Sequence, residues 1–140
     1  MGHKTSYSFK YKFDNGAYRP IIPVEIQKKN GSEIVARRIL VLVDSGADRC
    51  IFWGEIGDAL GIKVRSGRKE PIYGISGDRV QTWGYTHRVG LKVGNETINT
   101  TALFSYDIPN GLAVVGQKDF FENFVVKFDY KDKSVTLRRC

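Results

Sequence analysis

Apolar and polar residues alternate along much of the chain, beginning near the N-terminus. Between residues 7 and 13, four aromatic side chains alternate with polar ones, and this period of two predicts a β-strand with its aromatic face toward the core. Asp14-Asn15-Gly16 then offers residue types that tight turns favour. Residues 21–27 predict a second strand, which the prolines at its start restrict to a sheet edge or an irregular beginning.

The next hydrophobic segment is different, because it ends in an uninterrupted apolar run. Asn30-Gly31 predicts a hairpin turn, and residues 33–43 predict the strand that follows it. From Ile39 to Val43 no polar residue occupies either face of that strand. We therefore expect the strand to be buried on both sides, at the centre of the domain.

Helical patterns are short and few. Residues 53–60 predict a short helix that Gly61 ends, and residues 119–124 predict one or two helical turns. Gly74 and Gly77 bracket the tip of a hairpin that residues 79–89 complete. Further strands are predicted at residues 97–104, 125–130 and 134–138. We expect one all-β domain over residues 1–140, a closed or nearly closed barrel with residues 1–22 as N-terminal extension strands.

Composition narrows the class of protein. The 140 residues suffice for one domain, and a hydrophobic fraction of 41% argues against a disordered chain. The net charge of +7 favours acidic partners without determining the fold. No apolar run approaches the roughly 18–20 residues of a membrane span, and residues 1–7 lack the apolar region of a secretory signal. Two cysteines cannot build a disulfide framework, so we expect an intracellular, cytoplasmic location.

The tetrapeptide Asp44-Ser45-Gly46-Ala47 carries the strongest chemical information. It places a carboxylate directly after a buried strand, where desolvation disfavours an ionised group. Gly46 permits a tight backbone turn, and the Ser45 hydroxyl can support it. Taken alone, the tripeptide D-S-G is more often a strand-end turn than a catalytic motif, and its context decides between the two.

That context resembles the retropepsin-like aspartic proteases, the single-domain relatives of the retroviral proteases. The matching segments are LVLVDSGAD at residues 40–48, the flap-like YGISG at residues 73–77 and VVG at residues 114–116. The segment IGDALGI at residues 56–62 is similar to the short helix of cellular members. The resemblance runs from about residue 23 to residue 137 and implies a closed β-barrel with a flap hairpin and one or two short helices.

The resemblance implies an aspartic endopeptidase. Because each chain carries a single D-S-G, it implies a homodimer in which Asp44 of both chains meets at a twofold axis. The pair would share one proton and activate a water molecule against a polypeptide substrate, with no metal and no cofactor.

Further roles are implied residue by residue. Ser45 would support the active loop of the opposite chain, with Gly46 in the same loop. The substrate-binding residues would be Ala47, Asp48, Ile51 and Val115, together with Ile75, Ser76 and Gly77 at the flap tip. Ordinary core packing is an equally good interpretation of Ile51 and Val115. A plain turn remains the alternative at the hairpin tip.

One departure from the retroviral pattern concerns Asp48. Retroviral enzymes place an arginine after the second apolar-Gly motif, and it pairs with the acidic residue that matches Asp48. This chain has Gln117 there, so Asp48 is expected to pair with Arg49 or Lys118 instead. The terminal strands that interleave in retroviral dimers cannot be identified from the sequence.

Two alternative functions remain open. The domain could be a catalytically idle module for dimerisation or peptide binding. Basic stretches at residues 37–38, 65–69 and 138–139 also permit a single-stranded nucleic-acid binder, which we do not expect because the aromatic residues are not interleaved with them on one face. His3 and His87 lack the spacing of a zinc site, and His87 is expected to face solvent. Cys50 is expected to pack as a small apolar group.

Overall fold

The computed structural model describes residues 5–73 and 82–140. Twelve β-strands and one α-helix lie within these ranges. The strands of the first half are β1 (Ser6–Lys10), β2 (Lys12–Asp14), β3 (Ala17–Arg19), β4 (Ile21–Asn30), β5 (Glu33–Val43) and β6 (Cys50–Trp53), followed by helix α1 (Gly54–Ala59). The remaining strands are β7 (Arg68–Ile72), β8 (Thr82–Val93), β9 (Glu96–Ser105), β10 (Ala113–Val115), β11 (Phe124–Asp129) and β12 (Ser134–Arg139).

Six strands form a closed barrel in the order β4, β5, β10, β6, β9 and β8. The barrel closes because β4 pairs with β8 through Glu25–Gln27, while its proline-containing beginning pairs with β5 alone. Strand β7 is added outside the ring by antiparallel pairing with β8. Two pairings are parallel, β5 with β10 and β6 with β9, so apolar strands that are distant in sequence lie side by side.

The core fills the inside of the barrel with large side chains from facing strands. Phe52 of β6 and Phe104 of β9 are fully buried, and their ring centroids are 5.6 Å apart. In β5, Val41 and Val43 are buried, but Leu40 is 51% exposed. The expectation that this strand is buried on both sides is therefore wrong at Leu40, because the outer face of the barrel is covered only in part.

A second sheet, in the order β1, β12 and β11, joins the two ends of the described chain. Its inner face adds buried Phe124, Val135 and Leu137 to the core of the barrel. This sheet uses only the first part of the predicted N-terminal strand. The backbone N–H of Tyr11 donates to Lys133 O instead of extending the ladder, and the chain turns away there.

Beyond Tyr11, β2 and β3 form a separate two-stranded hairpin around Asn15 and Gly16, whose φ angles of 52° and 84° suit a tight turn. Phe13 is 66% exposed and contacts Tyr18. The prediction that all four aromatic side chains face the core is wrong at Phe13, because no layer of the described protein covers this hairpin.

The helices are short, as expected. Helix α1 ends at Ala59, and Gly61 with a φ of 78° turns the chain away from it. The N–H groups of Gly61 and Ile62 donate to Asp58 O and Gly57 O. A single 3₁₀ turn follows at Val64–Ser66. The second helical segment, Gln117–Phe121, starts before the predicted position and is interrupted by non-helical φ/ψ angles. Within the described ranges no helix is long and apolar enough to cross a membrane.

Candidate active site

Asp44 lies at the end of β5, where the barrel fixes its backbone. Leu42 and Val43 pair in parallel with Val114 and Val115 of β10, and the next N–H, that of Asp44, donates to Val115 O at 3.0 Å. Because both strands are apolar and packed, the carboxylate is carried by a rigid support. The residue is partly buried, at the point where the hydrophobic strand ends.

The tripeptide after the strand forms a tight turn around the Asp44 carboxylate. Oδ1 of Asp44 accepts the N–H of Gly46 at 2.9 Å, and the Asp44 carbonyl accepts the N–H of Ala47 at 3.2 Å. The turn at the end of the strand is therefore also the structure that orients the Asp44 carboxylate, so the two interpretations of D-S-G do not exclude each other. The Gly46 N–H stabilises the charge on one oxygen and sets the orientation of the carboxyl group.

Strand β10 continues into backbone contacts with the loop. Gln117 N–H donates to Ala47 O at 2.8 Å and Lys118 N–H donates to Asp48 O at 2.9 Å. Gly116 makes this approach possible, since a Cβ there would lie 2.5 Å from Ala47 O and 2.6 Å from the carbonyl oxygen of Arg49. The second apolar-Gly motif is thus the backbone support of the first.

Gln117 also contacts the loop through its side chain. Its Nε2 donates to Ser45 O at 2.5 Å. The glutamine that occupies the arginine position of the retroviral pattern therefore holds the carbonyl of Ser45 within the same chain, while the Ser45 residue itself is exposed.

A cleft of about 740 Å³ opens beside Asp44. Four of the predicted residues line it together with Asp44: Gly46, Ala47, Asp48 and Ile51. Opposite them the end of β7 contributes Pro71 and Ile72, followed by Tyr73, which is 81% exposed. The apolar part of the floor comes from Leu103, Leu112 and Val114. The cleft offers a carboxylate, backbone groups and an apolar surface within one space.

The placement of Val115 is a correction. Its side chain is 0% exposed and belongs to the core, whereas the preceding Val114 lines the cleft. Successive side chains of a strand point to opposite faces, and a run of apolar residues does not indicate which face is which. The predicted flap-tip residues Ile75, Ser76 and Gly77 lie outside the described residues.

Arg49 and Glu70 also line the cleft, and sequence reasoning did not assign Glu70 to the site. Arg49 Nη1 lies 3.5 Å from Glu70 Oε1. The expected pairing of Arg49 with Asp48 is therefore wrong, and Lys118 contacts Asp48 through its backbone N–H. Among residues 5–73 and 82–140, Asp48 forms no side-chain ion pair. Glu70 could have been found only from the pairing of β7 with β8, which the sequence does not specify.

Glu70 is held by three donors. Arg68 Nη2 lies 3.4 Å from its Oε2, and the Thr86 hydroxyl donates to the same oxygen. The Thr86 hydrogen bond first, and then the Arg49 and Arg68 guanidinium groups, hold the pKa of the Glu70 carboxyl below its usual value, against the opposing effect of burial. Glu70 is therefore ionised, with its oxygens occupied.

Two residues considered for other chemistry have structural positions. Cys50 is fully buried, as expected, and burial raises the pKa of its thiol, so it is not a nucleophile. The prediction that His87 faces solvent is wrong, because the residue is partly buried. Its Nε2 lies 2.7 Å from Val64 O, and its ring packs edge-on to Phe104. The described part of the chain contains no group of three or more His, Cys, Asp or Glu side chains that could hold a metal ion.

Several cations of the basic stretches contact groups of the protein itself. The Arg65 guanidinium lies 4.6 Å from the centroid of the Tyr106 ring, Arg68 contacts Glu70, and Arg139 lies 4.0 Å from Glu96. These contacts are on different parts of the barrel and its second sheet. Each of these three cations therefore has a contact within the described part of the chain.

Comparison with known proteins agrees with this architecture. No protein-family model and no curated protein sequence matches the chain. Among solved structures, the crystal structure of a retropepsin-like aspartic protease from Rickettsia conorii superimposes with a TM-score of 0.65, covering 99% of this chain and 96% of that chain at 13% identity. EIAV protease complexed with the inhibitor HBY-793 gives a TM-score of 0.48 and 26% identity, covering 75% of this chain and 88% of that chain.

The chain therefore has a retropepsin-like fold, and the prediction of an all-β, closed-barrel fold class is confirmed. The likeness to the Rickettsia protein extends over nearly the whole chain, including the N-terminal strands and the sheet of β1, β12 and β11. At this level of identity the comparison concerns the fold. The chemistry of the site has to be argued from Asp44 and its surroundings.

Proposed function

We propose that this protein is an aspartic endopeptidase whose active site assembles from two copies of the chain. One observation carries the proposal: Asp44 is presented by a packed strand end, with one carboxylate oxygen held by the Gly46 N–H, in the wall of a cleft large enough for a peptide segment. A purely structural turn at the end of a strand would not require a cleft beside it. A cleft without chemistry would not require an oriented carboxylate in its wall.

A second copy is needed because the proposed aspartic mechanism uses two carboxyl groups, one as general base and one as general acid. Each chain supplies one D-S-G, so the partner carboxyl comes from the same residue of another copy. An isologous dimer brings identical residues together at its axis. Two carboxylates at about 3 Å cannot both be ionised, so the pair shares a single proton.

In the proposed reaction the ionised Asp44 takes a proton from a water molecule, whose oxygen attacks the scissile carbonyl carbon. The protonated Asp44 of the other copy transfers its proton to the carbonyl oxygen, so that a gem-diol forms. The carboxyl that took the proton from water then gives it to the amide nitrogen, while the other carboxylate takes a proton back from the gem-diol. The C–N bond breaks, a carboxyl and an amino product leave, and the pair again shares one proton. The Gly46 N–H keeps each carboxyl group in position during these transfers.

An extended polypeptide is the substrate class that the cleft fits. Gly46, Ala47 and Asp48 offer backbone and carboxylate groups along one side, and Ile51 with Val114 offers apolar surface for side chains. The hairpin tip at Ile75, Ser76 and Gly77 is proposed to cover the bound peptide, in line with the resemblance. Ser45 is proposed to contact the opposite copy.

The test is peptide cleavage at mildly acidic pH with wild type, Asp44→Asn and a matched control, Asp14→Asn. Asp14 is an exposed carboxylate in the β2–β3 hairpin, ion-paired only at the surface with Arg19. We expect Asp44→Asn to lower kcat/KM by about 10²- to 10⁴-fold with its circular dichroism unchanged, and Asp14→Asn to cleave like wild type.

Sedimentation of the same samples separates the two parts of the proposal. A dimer with Asp44-dependent cleavage supports it. Cleavage that survives Asp44→Asn overturns the mechanism, and a strict monomer that cleaves overturns the two-copy site. A dimer that binds peptides and cleaves none identifies an idle peptide-binding module instead.

A further inference from the structure

Among the described residues that line the cleft, Arg49 is the one cation, and it directly follows Asp48. Its side chain is 21% exposed, and Glu70, its partner at 3.5 Å, is 22% exposed. The pair connects the residue after Asp48 to strand β7 on the opposite side of the cleft. A charged pair in this place faces any peptide that enters.

The hydrogen-bonding capacity of this pair is unequal. Glu70 has two oxygens and accepts from Thr86, Arg49 and Arg68. Arg49 has five N–H groups, and the contact with Glu70 at 3.5 Å is long. Its Nε is buried without a hydrogen-bond partner among residues 5–73 and 82–140. Because Nε is buried, the donors that the guanidinium can offer a ligand are its Nη N–H groups that do not bond to Glu70, whereas the carboxylate has little remaining capacity to accept.

We propose that Arg49 selects peptides that carry a carboxylate side chain, Asp or Glu, at the position opposite it in the cleft. This inference rests on the proposed function and assigns a preference within the same site. Glu70 acts as a positioning residue, because the Thr86 hydroxyl holds it while it orients the guanidinium. A planar guanidinium binds a carboxylate through two parallel N–H groups, which gives both charge and geometric selectivity. Asp48 lines the same cleft and could attract a basic side chain instead. A preference for Lys at this position is therefore the outcome that competes with the proposal.

The first experiment measures binding, so that it does not depend on cleavage. Asp44→Asn protein is applied to a peptide array in which each position of extended octapeptides is Glu, Gln or Lys in turn. We expect about tenfold tighter binding of Glu than Gln at one position, with Lys weakest there. Adding Arg49→Gln should remove the Glu-to-Gln ratio, and raising the salt from 50 to 500 mM should reduce it.

Arg68→Gln is the matched control. Like Arg49→Gln, it removes a guanidinium that contacts the Glu70 carboxylate, in this case at a distance of 3.4 Å. Arg68, however, is 78% exposed and is not among the residues lining the cleft. We expect the Glu-to-Gln ratio to persist in Asp44→Asn/Arg68→Gln. Loss of the ratio in both double variants would assign the effect to the general charge of this region and overturn the role of Arg49.

A second measurement uses wild-type protein and compares kcat/KM for Glu and Gln forms of a cleaved peptide. Asp44-dependent cleavage with no acidic preference overturns the inference and leaves the proposed function standing. An Arg49-dependent binding preference without any cleavage supports the inference and overturns the proposed function. No peptide binding, or a preference for Lys, overturns the role of Arg49.

Discussion

Two strands hold the active loop, and they do so in different ways. Strand β10 and the residues directly after it contact the loop through their backbone, and together they form what we call the β10 support: Val115 O, Gln117 N–H and Lys118 N–H all bond to main-chain groups between Asp44 and Asp48. Strand β7 contacts it through side-chain charges, by way of Glu70 and Arg49. One support is a set of fixed peptide groups in a packed barrel, and the other is a partly exposed ion pair.

The difference indicates which part of the site can be varied. Backbone bonds carry no titratable charge, so the β10 support keeps the carboxylate in place independently of pH and salt, as long as position 116 has no side chain. The β7 support depends on charge, pH and salt, and it lies where a substrate side chain would lie. If the proposed function holds, β10 maintains the geometry of the Asp44 carboxylate, and β7 with Arg49 adjusts the recognition of a peptide.

The largest effect is expected from Gly116→Ala, which disrupts the β10 support. The new Cβ would lie 2.5 Å from Ala47 O and 2.6 Å from Arg49 O, and both are backbone atoms that cannot rotate away. We expect a loss of about 2–3 kcal/mol in the free energy of unfolding, measured by urea denaturation.

Gly90→Ala is the matched control for that substitution. Gly90 also lies in a barrel strand, β8, but the nearest atoms to its added Cβ are 3.6 Å away, an ordinary contact distance. We expect its unfolding free energy to stay within about 0.5 kcal/mol of wild type. Equal stabilities of the two variants would show that β10 does not approach the loop as closely as described.

The barrel could be predicted from the sequence where its signals are local. The strands predicted at residues 21–27 and 33–43, the turn at Asn15-Gly16 and the helix stop at Gly61 each depend on neighbouring residues, and each prediction is confirmed. The position of Asp44 after an apolar strand is also a local feature. These signals were sufficient to predict the fold class, although the paired strands β5 and β10 are some seventy residues apart.

The unpredicted features depend on contacts between distant segments. Nothing in the sequence indicates that Val114 and not Val115 faces the cleft, since both are valines in a three-residue strand. The Arg49–Glu70 pair joins residues 21 positions apart through the pairing of β7 with β8. Phe13 continues the alternation of aromatic and polar residues, but the chain leaves the sheet at Tyr11. Beyond that point no part of the described protein covers the aromatic face.

A smaller, pH-dependent effect is expected from Glu70→Gln, which weakens the β7 support. The pKa of this carboxyl is lowered in the folded protein, chiefly by the Thr86 hydrogen bond, so it stabilises the fold when ionised. That contribution is present above the usual value of 4.5 and is lost as the pH falls below it through the folded pKa. We expect the variant to lose about 1 kcal/mol in the free energy of unfolding at pH 7, and progressively less as the pH falls below 4.5.

Urea denaturation at several pH values measures this difference, with Glu33→Gln as the control. Glu33 is an exposed carboxylate at the start of β5, and we expect its substitution to change stability equally little at every pH. A Glu70→Gln curve that runs parallel to wild type between pH 7 and pH 3 would contradict the charged nature of the β7 support.

The smallest effect is expected from Gln117→Ala, which removes the hydrogen bond from the Gln117 side chain to the loop that contains Asp44. Its Nε2 donates to Ser45 O at 2.5 Å, but both residues are exposed, so water can replace the amide. We expect a loss of about 0.5 kcal/mol in the free energy of unfolding, measured by urea denaturation, and a severalfold decrease in Asp44-dependent cleavage. Both effects stay small because the backbone bonds of Gln117 and Lys118 remain. Lys118→Ala, which leaves the Nε2 bond and the backbone intact, is the control. A loss of cleavage as large as that of Asp44→Asn would show that the loop relies on this side chain more than on the β10 backbone.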